Sequence, residues 1–138
     1  MTQKDLLIFA KHYSNHDNET ERRAAVSRAY FGLFHLVKAV VVSAGITVTK
    51  DPVEHNRLAR YLRNSGIFDA KFVSSKLSDL RLARNAADYD LDDRKFNNKT
   101  SCVLEYALAE STCKKLESIK SSDFRKGLRA YARLINEL

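Results

Sequence analysis

The sequence predicts an all-α protein, a single up-and-down helical bundle of about five to six helices. The chain has 138 residues, which suits one domain with a core of its own. It contains one proline and four glycines, too few for the many turns that a sheet protein of this length needs. Apolar residues also recur at steps of three and four, the spacing of a helix face. We therefore expect one helical domain over residues 1–138.

Apolar periodicity and capping residues together predict six helices. Gly45 lies where the second and longest helix ends in a left-handed residue. Asp51 and Pro52 form a typical start for the third helix, and Asp69 is expected to cap the fourth. The six helices are expected at about residues 2–13, 19–44, 53–64, 70–89, 100–120 and 124–137.

Each helix is expected to turn one apolar stripe towards the core. On the second helix, Phe31 and Phe34 widen this face, which suggests contact on two sides, within the bundle or across a subunit interface. The fourth helix is expected to bury Leu77, Leu80, Ala83 and Ala87. The fifth is expected to bury Val103, Leu104, Ala107, Leu108 and Leu116.

The formal net charge is +7 and the isoelectric point is about 9.5. Such a charge suits an acidic partner, of which nucleic acid is the commonest. The basic residues are spread along the chain, however, and form no tract typical of a DNA-binding arm or a membrane-surface patch. The charge alone is equally compatible with an ordinary soluble helical protein.

The two cysteines are expected to be free, buried thiols. Cys102 and Cys113 lie on one predicted helix, where their separation corresponds to roughly 16 Å. A disulfide needs Cα atoms within about 7 Å, so these two cannot pair within that helix. The apolar runs at residues 6–10 and 39–42 are too short for a signal core or a membrane span. We expect a soluble, cytoplasmic protein that does not contact a membrane.

Motifs of cofactor and metal chemistry are not seen. The glycines are scattered and form no phosphate-binding loop, and there is no Gly-x-Ser-x-Gly elbow. His12 and His16 lie four residues apart but have no thiol or carboxylate cluster close in sequence, so we interpret them as surface groups. We therefore expect neither a cofactor nor a metal.

A row of polar residues follows one face of the fourth helix. Arg81, Arg84, Asn85 and Asp88 recur at three- and four-residue steps, and Tyr89 closes the row. Such a row can be a solvated surface, an ion-pair ladder or a binding site. In the first two cases Arg84 and Asp88 form an i, i+4 ion pair worth a few tenths of a kcal/mol, roughly.

Two separated segments resemble those of a known family. Residues 27–35 read Ser-Arg-Ala-Tyr-Phe-Gly-Leu-Phe-His, and residues 80–89 read Leu-Arg-Leu-Ala-Arg-Asn-Ala-Ala-Asp-Tyr. They resemble the Ser-Arg-x-Tyr-Tyr-x-x-x-His and Leu-x-x-x-Arg-x-x-Ala-Asp-Tyr segments of the HEPN domain family. Their order, separation and helical placement make the pair more specific than either segment alone. The resemblance covers about residues 6–120.

The resemblance implies a helical bundle that dimerises through the helices carrying these segments. Many HEPN proteins cut RNA without a metal, using an arginine followed after four to six residues by a histidine. They act in toxin–antitoxin, abortive-infection and CRISPR-linked defence. Other members accompany a minimal nucleotidyltransferase or bind nucleotides.

This chain departs from the ribonuclease motif at one position. Arg84 and Asn85 match its start, but Tyr89 stands where the motif has histidine. Tyrosine has an ordinary pKa near 10, against about 6.5 for histidine, and is a poor general base at neutral pH. His35 is the one histidine in the matched segments and would substitute if the two helices face each other.

The resemblance yields a set of candidate site residues. For catalysis they are Arg84, Asn85, Tyr89 and His35. For binding RNA or a nucleotide they are Ser27, Arg28, Tyr30, Arg81 and Asp88.

Two functions stay open at this point. One is a homodimeric, RNA-acting protein, either a metal-independent endoribonuclease or a toxin-type effector of a toxin–antitoxin or phage-defence system. The alternative is a non-catalytic HEPN module that binds a nucleotide or partners a nucleotidyltransferase-type antitoxin.

Overall fold

A computed structural model describes all 138 residues and consists of six α-helices without strands. This confirms the all-α bundle predicted from the sequence. One short 3₁₀ turn, Arg94–Asn97, lies between the fourth and fifth helices. The helices are α1 Gln3–Tyr13, α2 Glu19–Ser43, α3 Glu54–Arg63, α4 Phe68–Tyr89, α5 Lys99–Glu117 and α6 Ser121–Leu134.

Several helix ends follow from local sequence chemistry. The Asn18 carboxamide oxygen accepts a hydrogen bond from the Glu21 N–H at 3.1 Å, which satisfies one free donor at the start of α2. Gly45 has φ of 89° just after α2, so the predicted left-handed helix end is confirmed. The Asp51 carboxylate accepts from the Val53 N–H at 2.9 Å and so holds the turn that leads into α3.

The predicted cap of α4 was wrong. The helix begins at Phe68 after an extended Ile67, which places Asp69 inside the first turn and not before it. There the Asp69 carboxylate lies near the positive end of the helix dipole and 3.6 Å from the Lys115 ammonium. Asp69 therefore supports the start of α4 by charge, and it also ties α4 to the end of α5.

The four helices α1, α2, α4 and α5 alternate in direction. The start of α1 packs at Gly32 of α2, where Leu7 occupies the space that a Cβ atom would need. The start of α2 meets the end of α4, and the start of α4 meets the end of α5. The shorter α3 packs along α4, and α6 contacts α2 and α3. Helices α2, α3 and α4 thus share one corner of the bundle.

One core of 24 buried residues includes side chains from all six helices. The stripe predicted for α4 is confirmed, since Leu77, Leu80, Ala83 and Ala87 are all buried. On α2, Phe34 is buried and Phe31 packs against the core from a partly exposed position.

The buried face predicted for α5 was largely wrong. Val103, Leu104 and Ala107 are exposed, and Leu108 is only partly buried. The residues that α5 buries are Cys102, Ala109, Thr112, Cys113 and Leu116. Most of these are small, which lets α5 lie close against its neighbours. Packing against small residues therefore outweighed the burial of the largest apolar side chains. Both cysteines are buried free thiols, as expected.

Two buried arginines at the start of α2 hold the segment between α4 and α5. Arg22 and Arg23 are 5% and 7% exposed, and both donate to main-chain carbonyls. Arg22 donates to the carbonyls of His16, Asp17, Phe96 and Asn97. Arg23 donates to the carbonyls of Ala86, Ala87, Asp90, Leu91 and Asp93. Arg23 thereby fixes the end of α4, where the second matched segment ends, and Arg22 ties the loop before α2 to the 3₁₀ turn.

Helix α2 is long and apolar enough to cross a membrane by length and composition. However, 56% of its most apolar window is buried inside the bundle. This pattern is typical of the central helix of a soluble protein.

Candidate functional site

The two segments that resemble the HEPN family lie against each other on the antiparallel helices α2 and α4. The Ser27 hydroxyl donates a hydrogen bond to the Asp88 carboxylate at 3.0 Å. Arg23, four residues before Ser27, reaches the carbonyl of Ala87 at 3.1 Å. The fold therefore joins residues that are about sixty positions apart in the chain.

Arg84 is held firmly at this junction. Its Nε lies 2.9 Å from an Asp88 carboxylate oxygen, which confirms the i, i+4 ion pair considered from the sequence. Its Nη1 donates to the Asn85 carboxamide oxygen at 3.0 Å. The guanidinium lies 4.9 Å from the centre of the Phe31 ring and 5.6 Å from that of Tyr89. Both aromatic faces attract a cation, so Arg84 is fixed by charge and by stacking.

A cleft of about 230 Å³ opens beside Arg84, where α2, α3 and α4 meet. Its one cationic side chain at neutral pH is Arg81, which is partly buried and donates through Nη1 to the Asn56 carboxamide oxygen at 2.8 Å. No carboxylate lines this cleft. Its lining residues are Tyr30, His55, Asn56, Leu77, Ser78, Arg81, Leu82 and Asn85.

His55, on α3, occupies the side of the cleft opposite α4 and was not among the predicted site residues. Its Nδ1 is hydrogen-bonded to the hydroxyl of Tyr30, and its ring stacks on Phe34 with the ring centres 4.5 Å apart. Nε2 makes no hydrogen bond within the protein and is not enclosed. In the sequence His55 is indistinguishable from the other residues on the basic face of α3, because the residues that it contacts lie on α2.

The pKa values of Tyr30 and His55 are both displaced from their ordinary values. Burial raises the pKa of Tyr30 to about 12, against the opposing effect of Arg81 and Arg84. Burial also lowers the pKa of His55, and the positive charges of Arg81 and Arg84 lower it further. At neutral pH the cleft therefore contains a protonated tyrosine and an uncharged imidazole.

Three predicted site residues do not line the cleft. His35 is exposed on α2 and lines a separate depression with Leu6, Lys38 and Val42. Arg28 is exposed and has no hydrogen-bond or ion-pair partner. Tyr89 is 73% exposed at the end of α4 and contacts the site through the guanidinium of Arg84. Of the predicted residues, Tyr30, Arg81 and Asn85 line the cleft, and Ser27, Arg84 and Asp88 support it from one side.

The cleft is chemically suited to an anion. Arg81 supplies a fixed positive charge, and Arg84 adds to the positive potential from behind it. Asn85, Asn56 and Ser78 offer uncharged donors to the oxygens of a bound group. No group of three or more histidine, cysteine, aspartate or glutamate side chains is arranged to hold a metal ion.

Comparisons with models of protein families, with characterised proteins and with solved structures find no match.

Proposed function

We propose that this protein acts on RNA as a metal-independent endoribonuclease of the HEPN type, in the manner of a toxin or phage-defence effector. The observation that carries the proposal is the cleft between α2, α3 and α4, in which Arg81, Asn85 and an uncharged His55 face one space. This cleft adjoins the contact between the two segments that resemble the HEPN family. The net charge of +7 favours a polyanionic partner.

In this proposal the phosphodiester lies in the cleft against Arg81. A guanidinium can hold two phosphate oxygens through parallel hydrogen bonds, and one edge of Arg81 is fixed by Asn56. Arg84 keeps its ion pair with Asp88 and contributes long-range positive charge.

The proposal includes a homodimer in the cytoplasm. Three large apolar side chains near the end of α4 are strongly exposed, namely Leu82 at 70%, Tyr89 at 73% and Leu91 at 76%. A second copy of the chain packed on this surface would bury them and would bring two clefts close to each other. Size-exclusion chromatography with light scattering measures this directly. A monomer at micromolar concentration would remove the dimer from the proposal.

A non-catalytic module is the second candidate function, and the state of Arg84 favours it. Asp88 and Asn85 already occupy the guanidinium of the one arginine that matches the ribonuclease motif. The cleft is also large enough for the phosphate and sugar of one nucleotide. In this case the protein binds a nucleotide, or partners a nucleotidyltransferase-type antitoxin, without cutting RNA. Calorimetric titration with adenosine mononucleotides, together with a test of RNA cleavage, separates the two functions.

The experiment for the proposed function is incubation of the purified protein with total tRNA and mRNA in EDTA. Arg81→Ala is the test variant. Arg133→Ala is the matched control, because Arg133 is an exposed arginine on α6 whose side chain forms no hydrogen bond or ion pair. Both substitutions remove one positive charge. We expect cleavage by the wild type and by Arg133→Ala, and a loss of about 100-fold or more in Arg81→Ala.

Binding provides a second measure of the same contact. The dependence of RNA affinity on salt reports the number of phosphates that are neutralised. We expect the salt slope to fall by about one in Arg81→Ala and to change less in Arg133→Ala. Wild-type protein that neither cuts nor binds RNA would contradict the proposed function.

A further inference from the structure

We propose that His55 is the general base of this site and accepts the proton of the attacking 2′-hydroxyl of RNA. This inference rests on the proposed function. It names a general base for a site in which Tyr89 stands where the ribonuclease motif has histidine. Neither Tyr89 nor His35, the residues considered for this role from the sequence, lines the cleft.

The orientation of the His55 ring is set by contacts from another helix. Tyr30 of α2 engages Nδ1, and Phe34 of the same helix stacks on the ring face. Tyr30 is itself completely buried, so the side chain that orients the ring cannot move away into solvent. These contacts leave Nε2 as the one ring nitrogen open to a ligand in the cleft.

The charged groups that face His55 favour its basic form at neutral pH. Arg81 and Arg84 approach from α4, and Tyr30 and His35 lie on α2. No carboxylate is among these neighbours, so nothing stabilises an imidazolium before the substrate binds. Burial and the two arginines lower the pKa of His55 below its ordinary 6.5. An uncharged imidazole at neutral pH is what proton abstraction requires.

The step can be written with its atoms balanced. The hydrogen bond between Tyr30 and Nδ1 is compatible with either tautomer. In the active one, Nδ1–H donates to the Tyr30 oxygen, the Tyr30 hydroxyl hydrogen faces the cleft that Tyr30 lines, and Nε2 carries the lone pair. Nε2 takes the proton from the 2′-hydroxyl, and the 2′-oxygen forms a bond to phosphorus. The bond from phosphorus to the 5′-oxygen breaks, and that oxygen takes a proton from water. The products are a 2′,3′-cyclic phosphate and a 5′-hydroxyl, and the imidazolium then returns its proton to solvent.

Arg81 complements His55 in this arrangement. Negative charge on the non-bridging oxygens has to be stabilised while the new bond forms, and Arg81 faces the same space from α4. The phosphate also adds negative charge near His55, which stabilises the imidazolium as it forms. Base and cation thus come from different helices, α3 and α4.

The test variant is His55→Asn, with His12→Asn as the matched control. The asparagine carboxamide can keep a hydrogen bond to Tyr30 while the lone pair at Nε2 is lost. His12 is an exposed histidine on α1 that lines a different depression and not the cleft. Full-length variants are compared with the wild type on total tRNA in EDTA, and their folding is checked by circular dichroism and thermal unfolding.

We expect His55→Asn to cut tRNA at least about 100-fold more slowly than the wild type, with His12→Asn unchanged. Affinity for a short 2′-O-methyl oligoribonucleotide, which cannot be cut by this route, is expected to stay within about threefold of the wild type. The wild-type rate is expected to fall in acid as His55 becomes protonated, at a pH below the ordinary imidazole pKa because burial and the nearby arginines lower the pKa of His55. His55→Asn should lack this dependence.

A second measurement does not depend on cleavage. Long-range proton–nitrogen NMR of the wild type identifies which nitrogen of His55 carries the proton at pH 7.5. We expect the proton on Nδ1. A proton fixed on Nε2 would overturn the assignment, because Nε2 would then be a donor and not a base.

The outcomes separate this inference from the proposed function. If wild type and His55→Asn cut RNA at similar rates, His55 is not the base while the proposed function stands. If the wild type binds RNA but does not cut it, both the ribonuclease function and the base are lost. Cleavage that disappears only in His55→Asn, with RNA binding retained, supports both.

Discussion

Substitution of Arg23 by methionine tests how the end of α4 is held. Methionine keeps an apolar stem of similar length but removes the guanidinium that donates to five main-chain carbonyls. It also removes the cation that lies 4.7 Å from the centre of the Phe96 ring. It removes as well the ion pair in which Arg23 Nε lies 3.5 Å from the Glu19 carboxylate. The expected result is a large loss of stability.

The magnitude follows from the burial of those carbonyls. The hydrogen bond to the Ala87 carbonyl is buried, and a buried acceptor that loses its donor costs about 1–3 kcal/mol. The other four are partly buried and can regain water, so each costs less. We expect Arg23→Met to lower the free energy of unfolding by about 3–5 kcal/mol in total. For a chain of 138 residues this corresponds to a melting temperature lower by about 10–17 °C.

The assay is urea unfolding followed by circular dichroism, with Arg28→Met as the control on the same helix. Arg28 is exposed and has no partner, so its substitution should change stability by less than about 0.5 kcal/mol. A loss below about 1 kcal/mol in Arg23→Met would refute the reasoning. It would mean that residues 90–98 hold the end of α4 without this arginine.

Three further predictions concern other parts of the bundle. A Cβ at Gly127 would lie 2.1 Å from the Ser65 carbonyl oxygen. Gly127→Ala should therefore lower the free energy of unfolding in urea by about 1–3 kcal/mol, despite the better helix propensity of alanine. Equal stability of the variant and the wild type would contradict this contact. The hydrogen bond from Tyr61 lowers the pKa of the Glu137 carboxyl below 4.5. The contribution of this hydrogen bond to folding stability is therefore present above pH 4.5 and is lost in acid. In Glu137→Gln the free energy of unfolding should therefore depend less on pH below about 4.5 than in the wild type. An unchanged pH dependence in acid would argue against the hydrogen bond between Tyr61 and Glu137. Burial raises the pKa of the Cys113 thiol to about 12. Iodoacetamide should therefore alkylate Cys113 in urea but not in the folded protein. Rapid alkylation of Cys113 in the folded protein would disprove its burial.

The helices could be predicted because their signals are local. Periodic apolar residues, Gly45 and the stripe on α4 are properties of short windows, and the structure agrees with all three. The face of α5 could not be predicted in the same way. Which side of α5 faces the core depends on how closely small residues such as Ala109 can approach other helices. This is not a property of α5 alone.

The site was partly predictable for the same reason. The row on α4 is a local pattern, and its placement of Arg81 and Asn85 on one face was right. His55 was missed because its position in the cleft depends on contacts with Tyr30 and Phe34, which lie more than twenty residues earlier in the chain. Arg23 was missed because a buried arginine that binds carbonyls looks, in sequence, like any exposed basic residue.

The proposed function and the role of His55 both require RNA to bind in the cleft between α2, α3 and α4. The most direct measurement is NMR titration of isotope-labelled protein with a short 2′-O-methyl oligoribonucleotide, following side-chain signals. We expect the largest shifts at the Arg81 guanidinium, the Asn85 carboxamide and the His55 ring. Shifts confined to the depression around His35 and Lys38, or no shifts at all, would contradict it.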